Sequence, residues 1–172
     1  MANFKNKNFF RFFINQTPVL LLIISVLNEF DFNYLGVNFF SFDFPFILIF
    51  YWSLKRNESL GYGFIFLAGL INDIVVGLPI GISSLTYLFI CVFAAYLKNI
   101  TLRPSLIKDW VFFLFTIFFI KSLMHLILVL FFSFEFNYIV LMVNLLFTFL
   151  MYYLFSYIFD FYSKIVFGNS YD

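Results

Sequence analysis

The sequence predicts an all-α membrane protein, a six-helix transmembrane bundle with both termini cytoplasmic. Three observations lead there. Of the 172 residues, 64% are hydrophobic and only 11% charged, whereas a soluble domain carries about a quarter charged residues to cover its surface. The apolar residues gather into six stretches close to the ~20 residues that a spanning helix needs. Nearly all Lys and Arg residues then fall on one side of the bundle. With a mean hydropathy of +1.01, the balance excludes a cytosolic enzyme, a nucleic-acid binder and a disordered chain.

The first expected helix covers about 12–30 and is interrupted at Asn15-Gln16-Thr17-Pro18, where the missing proline N–H should kink it. The second, 39–54, is short and begins near Asp43 and Pro45. The third, 60–77, is bounded by glycines, and the fourth, 78–97, follows the turn Gly77-Leu78-Pro79-Ile80-Gly81. The fifth is 110–132 and the sixth 138–159. The connections are short, no internal repeat stands out, and residues 1–172 read as one polytopic membrane domain. The 32 Phe residues are read as generic apolar filler, so no single one is given a role.

Orientation follows from the basic residues, because translocating them is costly. Lys5, Lys7 and Arg11 precede helix one, and Lys55 and Arg56 separate helices two and three. Lys98, Arg103 and Lys108 separate four and five, and Lys164 follows six. The intervening loops carry Glu29, Asp31, Asp43 and Glu135 instead. The basic start resembles a secretory signal, but Ser25-Val26-Leu27-Asn28-Glu29 offers no small-x-small cleavage pattern, so an uncleaved first helix is expected. Tyr51 and Trp52 at the inner end of helix two, and Trp110 at that of helix five, fit interfacial anchors. Cys91 is the single cysteine, which leaves no intramolecular disulfide and no cysteine-based zinc site.

Charged groups at membrane depth are expensive and usually face a partner inside the bundle. Asp73, beside Asn72, and Lys121 each lie roughly 16–18 Å from the cytoplasmic side, so an Asp73–Lys121 pair is geometrically possible. His125 follows Lys121 by four residues and shares its face, and Asn144 reaches a similar depth from helix six. Asn72, Asp73, Lys121, His125 and Asn144 are therefore read as one buried polar cluster that orients the helices. A proton or ion path needs titratable groups spaced across the bilayer, and these gather at one level.

Catalytic readings are weaker. Gly81-Ile82-Ser83-Ser84 with His125 resembles the Ser–His dyad of rhomboid-type intramembrane proteases, yet serines beside a helix start are commonly caps or small packing residues. A metal enzyme needs several clustered carboxylates or histidines, and the chain has one His and no paired-Asp motif. No phosphate-binding loop is present. The expectation is a protein that is not an enzyme, with no cofactor, no metal and no nucleic-acid partner.

Residues 45–97 are the informative stretch. Pro45 is followed by an apolar run to Tyr51-Trp52, a basic turn at Lys55-Arg56, and Gly61-x-Gly63. Then come Gly69-Leu70-Ile71-Asn72-Asp73 and Gly77-Leu78-Pro79-Ile80-Gly81. In this order and spacing the segment resembles the rod shape-determining protein MreD family, inner-membrane proteins of similar length and orientation. Asn57 stands where the family often has proline, and Ile80 where it usually has leucine. Helices five and six match in character only, so nothing carries over to Lys121, His125 or Asn144.

The resemblance implies a non-catalytic component of the bacterial cell-elongation complex, with roles in cell shape and in lateral peptidoglycan synthesis. It implies an MreC-like bitopic partner and, indirectly, the MreB filament, a RodA-type glycan polymerase and a penicillin-binding transpeptidase. It also implies a fold similar to the substrate-binding subunits of energy-coupling-factor transporters, a likeness that does not transfer function. In this setting Asp73 fixes helix three, and Gly69 and Gly77 allow close helix approach. Gly77 and Gly81 flank Pro79 in a tight outer turn. A small-molecule transporter, or its membrane substrate-binding subunit, is the alternative.

Overall fold

The computed structural model describes residues 16–27, 41–55, 60–101, 105–134 and 137–167, and every regular element among them is a helix. α1 is Gln16–Leu27. It is followed by α2 Phe44–Lys55, α3 Tyr62–Val76, α4 Ile82–Ile100, α5 Leu106–Phe132 and α6 Tyr138–Phe167. Pro18 falls in the first turn of the described part of α1, where a missing N–H is tolerated. Of the stretch 15–18 where an interruption was expected, Gln16, Thr17 and Pro18 are helical and Asn15 lies outside the described residues.

Among the described residues, only α4, α5 and residues 138–164 of α6 are long and apolar enough to cross a membrane, whereas α1, α2 and α3 are shorter apolar helices. The sequence suggested six spans, some of them marginal and the second short; the described residues hold three long apolar helices and three short ones. α2, with 12 residues, is only about 18 Å long at 1.5 Å per residue. Its sequence, Phe-Pro-Phe-Ile-Leu-Ile-Phe-Tyr-Trp-Ser-Leu-Lys, is apolar on every face, the pattern of a helix buried all round. Accordingly Phe44 and every residue from Phe46 to Leu54 are buried. It sits at the centre, packed on α4 and α6, while α3 packs on α4 and α5 on both α4 and α6.

Boundaries moved where local chemistry dictates. Leu78–Gly81 belong to the α3–α4 turn rather than to the fourth helix. Gly77 (φ 75°) and Gly81 (φ 105°) take left-handed conformations there, which glycine adopts without a steric penalty. α5 starts four residues earlier than expected, at Leu106, with Ser105 as its N-cap accepting from the Lys108 N–H. α6 runs on to Phe167 and keeps Asp160 within the helix.

The core is aromatic. Phe113 stacks on Tyr152 with ring centroids 4.2 Å apart, and Phe50 meets both rings, at 5.0 and 5.6 Å. Tyr51 and Trp52 belong to this core, each 1% exposed, so they are not interfacial anchors. The apolar run around them makes α2 the central helix, buried from Phe46 to Leu54. Trp110 stacks on Phe149 at 4.4 Å and donates from Nε1 to the Phe149 carbonyl at 2.9 Å, joining α5 to α6. Elsewhere large apolar side chains face outward. Ile74, Ile80, Ile107, Phe131 and Tyr157 are each more than two-thirds exposed, far beyond what water tolerates and normal for a surface covered by lipid.

Candidate functional site

Asp73 is a buried carboxylate with both oxygens satisfied, and its partners are backbone N–H groups. It is 1% exposed. One carboxylate oxygen accepts from the Gly81 N–H at 2.7 Å, the other from the Ser83 N–H at 2.8 Å. Its own carbonyl accepts from the N–H groups of Gly77 and Leu78. One residue thus closes the end of α3 and caps the start of α4, where orphan N–H groups and the helix dipole favour an anion. Asn72 adds a hydrogen bond from its amide to Ser83 Oγ at 3.0 Å.

The same two helices are locked one turn deeper. A Cβ built on Gly69 would lie 2.3 Å from the Cα of Ser84, so glycine is the side chain that fits. Ser84 Oγ donates to the Phe66 carbonyl at 3.0 Å. Gly77 and Gly81, by contrast, would meet nothing within 4 Å. Their value lies in the turn conformation around Pro79, whose carbonyl accepts from the Ile82 N–H.

Lys121 does not pair with Asp73. It forms an ion pair with Asp43, just before α2, and donates to the Asn144 side-chain oxygen on α6. Its ammonium also lies 5.6 Å from the centre of the Phe46 ring. Asn144 in turn donates to Ser41 Oγ at 2.9 Å, and the Asp43 N–H is held by Thr148 Oγ1 at 3.0 Å. Asp73 is spent on backbone, and α3 packs against α4 rather than α5. The carboxylate that reaches Lys121 comes instead from the segment entering α2.

These groups surround a cavity of about 540 Å³ at the α3–α4 turn end of the bundle. Asn72, Ser83, Lys121, His125 and Asn144 all line it, together with Asp43, Thr86, Tyr87 and Asn137. His125 lies against the Tyr138 ring, with centroids 5.4 Å apart. Four of the five residues read as one polar cluster therefore do meet, around a cavity; Asp73 sits behind its wall. Ser83 Oγ is occupied as an acceptor from Asn72, a small buried hydroxyl at the start of α4. No group of three or more metal-ligating side chains occurs among the described residues.

A second polar level lies at the opposite, basic end. Lys55 Nζ is 3.3 Å from Asp109 Oδ2, with Asp109 2% exposed. Tyr51 donates from its hydroxyl to Asp160 at 2.6 Å. The two ion pairs share one ruler. Asp43 and Lys55 are twelve residues apart, as are Asp109 and Lys121, and the helices that carry them run antiparallel, so each end of one segment meets the opposite charge of the other. Each charge also suits its helix dipole where it flanks a terminus, Asp43 before α2, Lys55 in its last turn, Asp109 in the first turn of α5.

On α6, Asn144, Thr148, Tyr152, Ser156 and Asp160 recur every fourth residue, and the middle three are at most 2% exposed. They form a buried polar stripe linking the two levels. Sequence reasoning found the cavity end and overlooked the basic end. The repeated Asp-x11-Lys spacing and the four-residue polar period on α6 were the available signals. No family model, curated protein or solved structure matches this chain.

Proposed function

We propose that this protein is a non-catalytic, multi-pass component of the bacterial inner (cytoplasmic) membrane that serves the cell-elongation complex, scaffolding or regulating lateral peptidoglycan synthesis. In this reading the short helices complete a six-span bundle with both termini cytoplasmic, and the cavity opens outward. Its direct partner is an MreC-like bitopic protein, through which it meets the MreB filament, a RodA-type glycan polymerase and a penicillin-binding transpeptidase. The motif order in residues 45–97 supports the family.

The observation that carries the scaffold role is the state of the cavity's polar groups. Lys121 is engaged by Asp43 and Asn144, and Asn72 by Ser83, so the cavity reads as a preformed, nearly neutral receptor rather than a poised reaction centre. A bitopic partner brings a chain segment to the outer face beside its single helix, and such a segment suits a receptor of this kind. The cavity's volume also falls within the roughly 300–1,000 Å³ of small-molecule sites, which favours the second reading, a solute transporter or its substrate-binding subunit.

Gentle extraction of the tagged protein from its own host, followed by mass spectrometry of co-purifying proteins, separates the two. Recovery of an MreC-like protein with a RodA-type polymerase and a transpeptidase supports the elongation complex. Recovery of ABC-type ATPases with a coupling subunit would overturn it in favour of transport. Filling the cavity with Val140→Trp is expected to abolish recovery of the bitopic partner while the protein still accumulates.

A further inference from the structure

Four buried polar atoms at the basic end are under-satisfied among the described residues: Trp52 Nε1 has no hydrogen-bond partner, Asp109 Oδ2 meets only the Lys55 ammonium, and Tyr152 OH and Ser156 Oγ have no partner beyond each other. Their residues are each at most 2% exposed and come from three different helices. Tyr152 interacts electrostatically with Asp109 and Asp160, and Ser156 lies one turn from each of Tyr152 and Asp160. Tyr51, beside Trp52, bonds to Asp160. Lys55, one turn from Trp52, lies 3.3 Å from Asp109.

Buried polar groups in folded proteins are almost always bonded to protein or to ordered water. The donor inventory here selects the occupant. An indole N–H only donates, a carboxylate only accepts, and the two hydroxyls do either. A bare cation would leave the Trp52 N–H unpaired, and an anion would be repelled by Asp109. Water donates and accepts at once. We propose that a cluster of buried water molecules occupies the basic end of the bundle, bridging Trp52, Asp109, Tyr152 and Ser156.

The cluster is cut off from the cavity at the other end. Phe50, Phe113 and Tyr152 pack ring against ring, with centroids 4.2–5.6 Å apart, and form a plug across the polar stripe of α6. Water enters past Lys55, which is 24% exposed, and goes no further than the plug. The bundle is wet at both ends and sealed in the middle. This inference goes beyond the scaffold reading and stands whether or not that reading holds.

The chain contains two tryptophans, and they provide the test with its own control. Trp110 Nε1 is bonded to the Phe149 carbonyl. With ¹⁵N-indole-labelled protein in lipid nanodiscs, magnetisation transfer from water is expected at the Trp52 N–H and not at the Trp110 N–H. Loss of one signal in Trp52→Phe assigns the pair, or in Trp110→Tyr if the first variant does not fold. Ser156→Ala should shift the Trp52 signal without unfolding the protein. No transfer at Trp52 overturns the proposal; if its signal also moves when choline replaces Na⁺, the occupant is a cation instead.

Discussion

At the scale of single residues, Asp73 shows how a buried charge is made tolerable. Replacing it with Ala strands the N–H groups of Gly81 and Ser83, and each unsatisfied buried donor costs about 1–3 kcal/mol. Asp73→Ala is therefore expected to lower the midpoint of thermal unfolding in detergent markedly, and Asp73→Asn, which keeps one acceptor, to do so less. An unchanged midpoint for Asp73→Ala would contradict the capping role. Gly69 makes the complementary case. Gly69→Ala forces a methyl into the Ser84 backbone and should reduce stability by several kcal/mol or separate α3 from α4. Gly63→Ala, where nothing lies within 4 Å, should be neutral in the same assay. That Asp73 matters was legible in the sequence, from the cost of its depth. What it does was not, because its partners are backbone groups that become available only once Gly77 and Gly81 have turned the chain.

At the scale of helices, the two Asp-x11-Lys segments fix the register of α2 against α5. The pairs differ in burial. Asp109 is 2% exposed and Asp43 34%, so removing Lys55 leaves the more costly orphan, about 3–5 kcal/mol by analogy with buried pairs, and removing Lys121 a smaller one. Asp43→Lys and Lys121→Asp are each expected to lower stability, and the double exchange to recover much of the loss. A double variant no better than the sum of the singles would show that the pair does not set register. Helix existence was readable from apolar runs, and the basic loops gave a consistent polarity. The length of α2 was readable too. Its central position was not, since Tyr51 and Trp52 near a basic turn carry the same signature as an interfacial belt; only packing on α4 and α6 distinguishes them.

At the scale of the whole molecule, polar chemistry is confined to two levels joined by one stripe, while the outer surface is hydrocarbon. With Lys55, Lys98, Lys108 and Lys164 at one end, the proposed orientation places the cavity outside the cell. Reporter fusions after Leu78 and after Lys55 test this: the first should be active only as an extracytoplasmic reporter, the second only as a cytoplasmic one, and the reverse pattern would invert the bundle. Reading Asn72, Lys121, His125 and Asn144 as one cluster needed only their depths. Recognising that they enclose a space needed the path of the chain through Ser41 and Asp43, which depth arithmetic does not supply.

The shortness of α2 has a consequence for how the protein is made. A helix of about 18 Å with an acidic residue before it and a lysine at its end is too short to cross a hydrocarbon layer of about 30 Å unaided. The charges that neutralise its ends lie on α5, whose first turn follows Lys55 by more than fifty residues. On the proposed six-span reading, α2 then waits during synthesis, its ends at the water boundary, until α5 has been inserted. Truncation before α5 should leave the upstream helices poorly inserted and exposed to membrane proteases, so the order of biogenesis is written into a charge spacing.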